Sequence, residues 1–137
     1  SGYVGHIHLG GGPMLDGYVG ATTDTGHTAN TTEYPGMSGI SDGQFGMLRK
    51  GVPNTQAQVD FAFRSEHMMS VVSKQLITSY YGEGTLKYSY WNGCSTGGRQ
   101  GLMMAQRYPN DYDGVVAGSS AIHWCELSLD FCTTPVA

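Results

Sequence analysis

The sequence predicts an α/β fold, a parallel sheet whose strands are joined by crossover helices. Three observations point there. Stretches with strand-like alternation are separated by stretches with helical spacing, an order that suits parallel strands and not hairpins. One block, "YWNGCSTGGRQGLMMAQRYP" (residues 90–109), sets a G-x-S-x-G pentapeptide between a strand pattern and a helix pattern. The composition is that of a packed domain: 39% hydrophobic and 13% charged, with 21 glycines and nine tyrosines. At 137 residues the chain is one domain or part of one, long enough to bury a core.

The elements follow in order. "YVGHIHLGGG" alternates and then breaks into Gly10–Gly12, a strand running into a glycine-rich turn. A second strand is expected from about Tyr18 to Thr23, ending in the turn "DTGH". Residues 28–56 are rich in Gly, Ser, Thr and Pro and read as a long surface loop. From Val59 the apolar residues Phe63, Met68, Val71, Val72, Leu76 and Tyr80 recur at gaps that suit one broad helical face, and Gly82 supplies the stop. "LKYSYWNG" alternates with aromatic residues and predicts a strand, "GLMMAQRY" a helix closed by Pro109, and "DGVVAGSSA" a short apolar strand. The tail from Trp124 to Ala137 shows no period.

Several function classes drop out. The net charge is −4 with seven Lys plus Arg and no basic stripe, which argues against a nucleic-acid surface. No apolar run approaches the roughly 20 residues of a membrane span. The N-terminus has neither a basic nor an apolar leader region, as expected of a mature or truncated chain. Low charge and abundant Gly and Tyr suit a secreted enzyme, and Asn30-Thr31-Thr32 is a glycosylation sequon. Cys94, Cys125 and Cys132 are an odd set, which in a secreted protein implies a free thiol or a missing partner.

The pentapeptide carries the chemistry. A serine between a strand and a helix sits on a sharp turn that pushes Oγ out of the sheet top, and glycines at 93 and 97 are expected to avoid clashes there. The N–H of Thr96, at the start of the following helix, is placed to bond a developing oxyanion. A second donor is expected from Gly10 to Gly12, where backbone can approach substrate closely. A dinucleotide reading fails, since "GCSTGGRQG" contains no G-x-G-x-x-G. Cys94 could itself act as a nucleophile, but the motif places Ser95 at the elbow, and the plainer reading of Cys94 is a small buried hydrophobe. Asp24 and His27 precede Ser95, opposite to the usual order for such a fold, and are expected to hold their own turn. After Ser95 come only Asp111, Asp113, Glu126, Asp130 and His123, none at a spacing that completes a triad. His67 falls beside the helical apolar face and reads as a packed histidine.

The block "YWNGCSTGGRQGLMMAQRYPNDYDGVVAGSSA" resembles the tannase and feruloyl esterase family of α/β-hydrolases, as do "GATTDTGH" and "QVDFAFRSEHMMSVVSKQLITSYYG" upstream. The likeness covers about residues 18 to 124. It implies hydrolysis of aromatic-acid esters such as feruloyl or galloyl esters through an acyl-enzyme on Ser95, with Thr96 and Gly11 or Gly12 in the oxyanion hole. It also implies that Cys94 forms a disulfide with a cysteine beside the catalytic histidine. In such a family the catalytic Asp and His lie further downstream, and a lid, often with a structural calcium, is inserted before them. Residues 1–124 then form the N-terminal part of an α/β-hydrolase catalytic domain, and 125–137 lead toward the lid. The expected partners are a small aromatic ester and whatever supplies Asp and His, either the rest of the domain or a second chain. No cofactor is implied within these residues. The alternative reading is an incomplete, non-catalytic α/β unit with a structural or binding role.

Overall fold

The computed structural model describes residues 12–27 and 44–122. Two strands carry the centre of the molecule. Strand β3 (Tyr90–Cys94) and strand β4 (Gly114–Gly118) pair in parallel, from Tyr90 opposite Gly114 to Cys94 opposite Gly118. Helix α4 (Thr96–Arg107) is the crossover between them and packs on both. The strand–helix–strand unit expected around the pentapeptide is therefore present.

Close backbone approach explains the glycines of α4. A Cβ on Gly98 would lie 2.5 Å from the Gly118 carbonyl oxygen, and one on Gly101 2.5 Å from the Trp91 ring. Trp91 is buried beneath α4 and donates from Nε1 to the Gly97 carbonyl at 2.9 Å. Met104 is fully buried on the same face. At the far end, the Asp113 carboxylate accepts from the Ser89 N–H at 2.7 Å, which fixes where β4 begins beside β3.

The long helical stretch is three pieces in sequence. Helix α2 (Thr55–Val59) starts before the expected Val59 because Asn54 caps it, its Oδ1 accepting from the Ala57 N–H at 3.3 Å. Residues 60–64 then form a π-turn, and helix α3 (Ser65–Tyr81) runs on from it. Gly82 ends α3 with φ +96°, a conformation open to glycine.

Other expectations need correction. Tyr18–Thr23 forms no strand; among the described residues no neighbouring strand offers a ladder, and Tyr18 instead packs edge-on against Tyr90 at 6.5 Å. The expected 28–56 loop holds short structure at its end: β1 (Met47–Arg49) pairs antiparallel with β2 (Val52–Pro53). The apolar face read on α3 is largely exposed among the described residues, at Met68, Val72, Leu76 and Tyr80, while its buried positions are Glu66 and Ser70. The helix meets α4 through polar groups, not through that stripe. The first expected strand, Gly10, Gly11, Asn30 and the tail from His123 lie outside the described residues; Gly12 opens a short helical turn, α1 (Gly12–Leu15). No helix among the described residues is long and apolar enough to cross a membrane.

Candidate active site

Ser95 is the single residue between β3 and α4, and its backbone is unusual. It adopts φ 59°, ψ −117°, a region that side-chain-bearing residues rarely occupy and that costs roughly 1–3 kcal/mol. Three hydrogen bonds hold it there. Its N–H donates to the Gly118 carbonyl at 3.0 Å, and its carbonyl accepts from Arg99 N–H at 3.0 Å and Ala121 N–H at 3.1 Å. The two strands and the helix thus over-determine the turn.

The strain has a consequence for the side chain. A serine at a helix N-terminus normally caps it by accepting from the first-turn N–H groups. Ser95 makes no such bond, and the residue is exposed. Its hydroxyl is therefore not spent on the helix. The first backbone bond of α4 runs from Arg99 to Ser95, so the N–H groups of Thr96, Gly97 and Gly98 precede any carbonyl within the helix that could accept from them. An exposed serine, uncommitted as a cap, thus stands at the N-terminus of a helix.

The flanking glycines divide. A Cβ on Gly93 would press into the Gly97 carbonyl and stand 2.8 Å from Trp91 Nε1. Gly93 is therefore required. A Cβ on Gly97 would meet nothing within 4 Å, so the clash expected at that position is absent among the described residues. Cys94 is exposed, which removes the buried-hydrophobe reading, and it has no disulfide partner among the described residues. Cys125 and Cys132 lie outside them.

The other candidates serve local structure. Asp24 Oδ1 accepts from Gly26 N–H at 2.8 Å, and Thr25 Oγ1 lies 3.0 Å from His27 Nδ1. The buried His27 ring stacks on Phe45 at 3.9 Å and meets Phe61 edge-on. This is the turn-holding role expected of them. His67 pairs with Asp111 at 2.8 Å and stacks on Tyr108 at 3.9 Å, as a packed histidine. Tyr108 caps the C-terminus of α4, the end of the helix opposite Ser95. Asp113 is held by Ser89. Glu126, Asp130 and His123 lie outside the described residues.

Sequence reasoning missed the residues behind α4. The Arg99 guanidinium donates to the carbonyls of Phe61 at 3.0 Å and Ala62 at 3.2 Å and lies 4.9 Å over the Phe61 ring. Gln100 Nε2 donates to the Glu66 carboxylate, and Ser65 Oγ lies within hydrogen-bond distance of its other oxygen, at 2.9 Å. Glu66 and Gln100 are fully buried. Burial pushes the Glu66 carboxyl up from its ordinary value, against the opposing pull of its Ser65 bond and of Arg99. Burial likewise pulls the Arg99 guanidinium down, with Glu66 acting the other way. The gap of five between Phe63 and Met68 in the apolar pattern was the available signal for the π-turn these groups grip.

A family model for tannase and feruloyl esterase matches residues 1–135. The chain belongs to the tannase and feruloyl esterase family. It is 41% identical over 111 residues to feruloyl esterase B of Aspergillus niger, covering 81% of this chain and 18% of that protein. It is 42% identical over 116 residues to a probable feruloyl esterase of Arthroderma benhamiae, covering 85% and 20%. Among solved structures, tannin acyl hydrolase from Aspergillus niger superposes with a TM-score of 0.57 at 29% identity, covering 66% of this chain and 17% of that one. The chain thus spans about a fifth of the length of these family members. The fold is a portion of an α/β-hydrolase, with β3, Ser95 and α4 as its strand–turn–helix.

Proposed function

We propose that these residues supply the nucleophile half of a carboxylic ester hydrolase that acts on aromatic-acid esters such as feruloyl or galloyl esters. The observation that carries the reading is the Ser95 turn: a strained, exposed serine, uncommitted as a cap, at the N-terminus of a helix. The names of the family members point to the same chemistry.

In this reading Ser95 Oγ attacks the ester carbonyl carbon while a histidine takes its proton. The tetrahedral oxyanion accepts from the Thr96 N–H and from a second donor, Gly11 or Gly12. The alcohol leaves with the proton, and water then attacks the acyl-enzyme to release the aromatic acid and free Ser95. Asp24, His27, His67, Asp111 and Asp113 are engaged elsewhere, so the catalytic Asp and His come from further sequence of the catalytic domain. Residues 1–124 belong to that domain, and 125–137 lead toward a lid. Cys94, beside the nucleophile, bridges to a cysteine beside the histidine and fixes one loop against the other. The protein acts outside the cell.

The test is a family-length protein carrying this chain. A fluorophosphonate should label Ser95, losing fluoride as the Ser95 Oγ–phosphorus bond forms. Ser95→Ala should lower kcat on methyl ferulate or methyl gallate by at least about 10³-fold. Full activity in Ser95→Ala would end the proposal.

A further inference from the structure

Three parts of the chain, far apart in sequence, converge behind the Ser95 turn. The Asp24–His27 turn packs on the π-turn: a Cβ on Gly26 would lie 2.6 Å from Asp60 Cβ, and His27 meets Phe61 edge-on. The π-turn is fixed from within, since Arg64 Nε bonds Asp60 at 2.6 Å and Ser65 Oγ donates to the Asp60 carbonyl at 2.7 Å. Its Phe61 and Ala62 carbonyls accept the two arms of Arg99. One turn of a π-helix shifts backbone carbonyls out of α-helical register, and here two of them point at one guanidinium. One residue along, Gln100 ties the same helix to Glu66 at the start of α3.

We propose that Arg99 and Gln100 are positioning residues that clamp the first turns of α4 to the 60–66 segment and so set where the Thr96 N–H points relative to Ser95. This rests on the reading of Ser95 as nucleophile. The geometric link is short. Arg99 N–H bonds the Ser95 carbonyl, so the backbone that Arg99's side chain anchors is the backbone that holds the strained turn. Glycine packing against Trp91 and Gly118 sets how near α4 lies to the strands. On that face the directional contact against rotation about the helix axis is the Trp91 Nε1 bond to the Gly97 carbonyl, and further direction comes from side chains on the other face. The bidentate Arg99 contact and the Gln100–Glu66 bond supply that direction from the opposite face. Lysine cannot replace Arg99 here. A single ammonium lacks the planar fork that serves two carbonyls while lying over Phe61.

The test separates placement from folding. In a family-length protein, fluorophosphonate titration counts competent Ser95, and kcat is expressed per titrated site. Arg99→Lys should lower kcat per site by about 10- to 100-fold with KM changed less than about threefold, because a misplaced donor costs the transition state and not the ground state. An arylboronic acid, which binds serine as a tetrahedral adduct, should lose affinity in parallel. If Arg99→Lys does not accumulate, Phe61→Leu keeps both carbonyls but removes the ring under the guanidinium, and should lower kcat per site in the same direction. A residue that served only stability would lower the titre and the Tm and leave kcat per site unchanged, and that result overturns the proposal. Absence of a Ser95 adduct in the parent protein would instead overturn the nucleophile reading itself.

Discussion

Helix α4 presents two faces that do different work. Toward β3 and β4 its first turns are stripped of side chains, where Gly98 and Gly101 let it press onto Gly118 and Trp91, and Met104 is buried further along. Toward the 60–81 segment it carries Arg99 and Gln100 into a buried polar network with Phe61, Ala62 and Glu66. The first face is steric and intolerant of any added atom. The second is directional and depends on which polar groups meet. Together they hold a serine in a backbone conformation it would not choose, so the strain is sustained from both sides.

Substitutions should divide along that line. The largest effect is expected at Gly93→Ala, whose methyl would press into the Gly97 backbone carbonyl and the Trp91 ring nitrogen. Neither is the end of a flexible side chain, so the turn itself must move. The expected loss is about 3 kcal/mol of stability or more, read by thermal or urea unfolding. Gly98→Ala, against the Gly118 carbonyl and Ser120, should follow at about 1–3 kcal/mol.

On the polar face the sign depends on pH. The Glu66 carboxyl titrates higher in the fold than in the unfolded chain, because burial disfavours its charged form. Its contribution to stability is thus full below its ordinary value of 4.5 and is lost as pH rises through the raised folded value. Glu66→Gln keeps the shape and an acceptor for Gln100 but stays neutral. The Tm of this variant relative to the parent should therefore rise as pH goes from about 4 to about 8, where the parent carries the buried charge. A Tm difference that does not vary with pH would show that Glu66 titrates normally. The smallest effect belongs to Gly97→Ala, which meets nothing within 4 Å. Alanine in a helix should change stability by at most about 1 kcal/mol, and in the favourable direction.

The turn at Gly93 and Ser95 was legible in the sequence; the need for Gly98 and Gly101 was not, the clash expected at Gly97 is absent among the described residues, and the polar face was not legible either. Gly93, Ser95 and the helix behind them stand in a pattern whose meaning is local: strand, sharp turn, helix. The parallel pairing of β3 with β4 followed from the helix between them. Arg99 and Gln100 face away from that local pattern, toward a segment more than thirty residues earlier, and no spacing along the chain announces such a contact. The π-turn hid for a related reason. Its extra residue widened one apolar gap to five, and the pattern still passed as a single helical face. That face then proved largely exposed among the described residues, since apolar periodicity reports which side could be buried and not what lies against it. Tyr18–Thr23 forms no strand because alternation supplies a pattern without supplying a neighbour, and none is present among the described residues.

A nucleophile presented by the strained turn should be open to covalent trapping. The most direct measurement is peptide mapping of a family-length protein treated with a fluorophosphonate. One stoichiometric adduct is expected, on Ser95, with ester hydrolysis lost in proportion to labelling. Complete inactivation with the adduct on another residue, or turnover that persists with Ser95 fully modified, would contradict it.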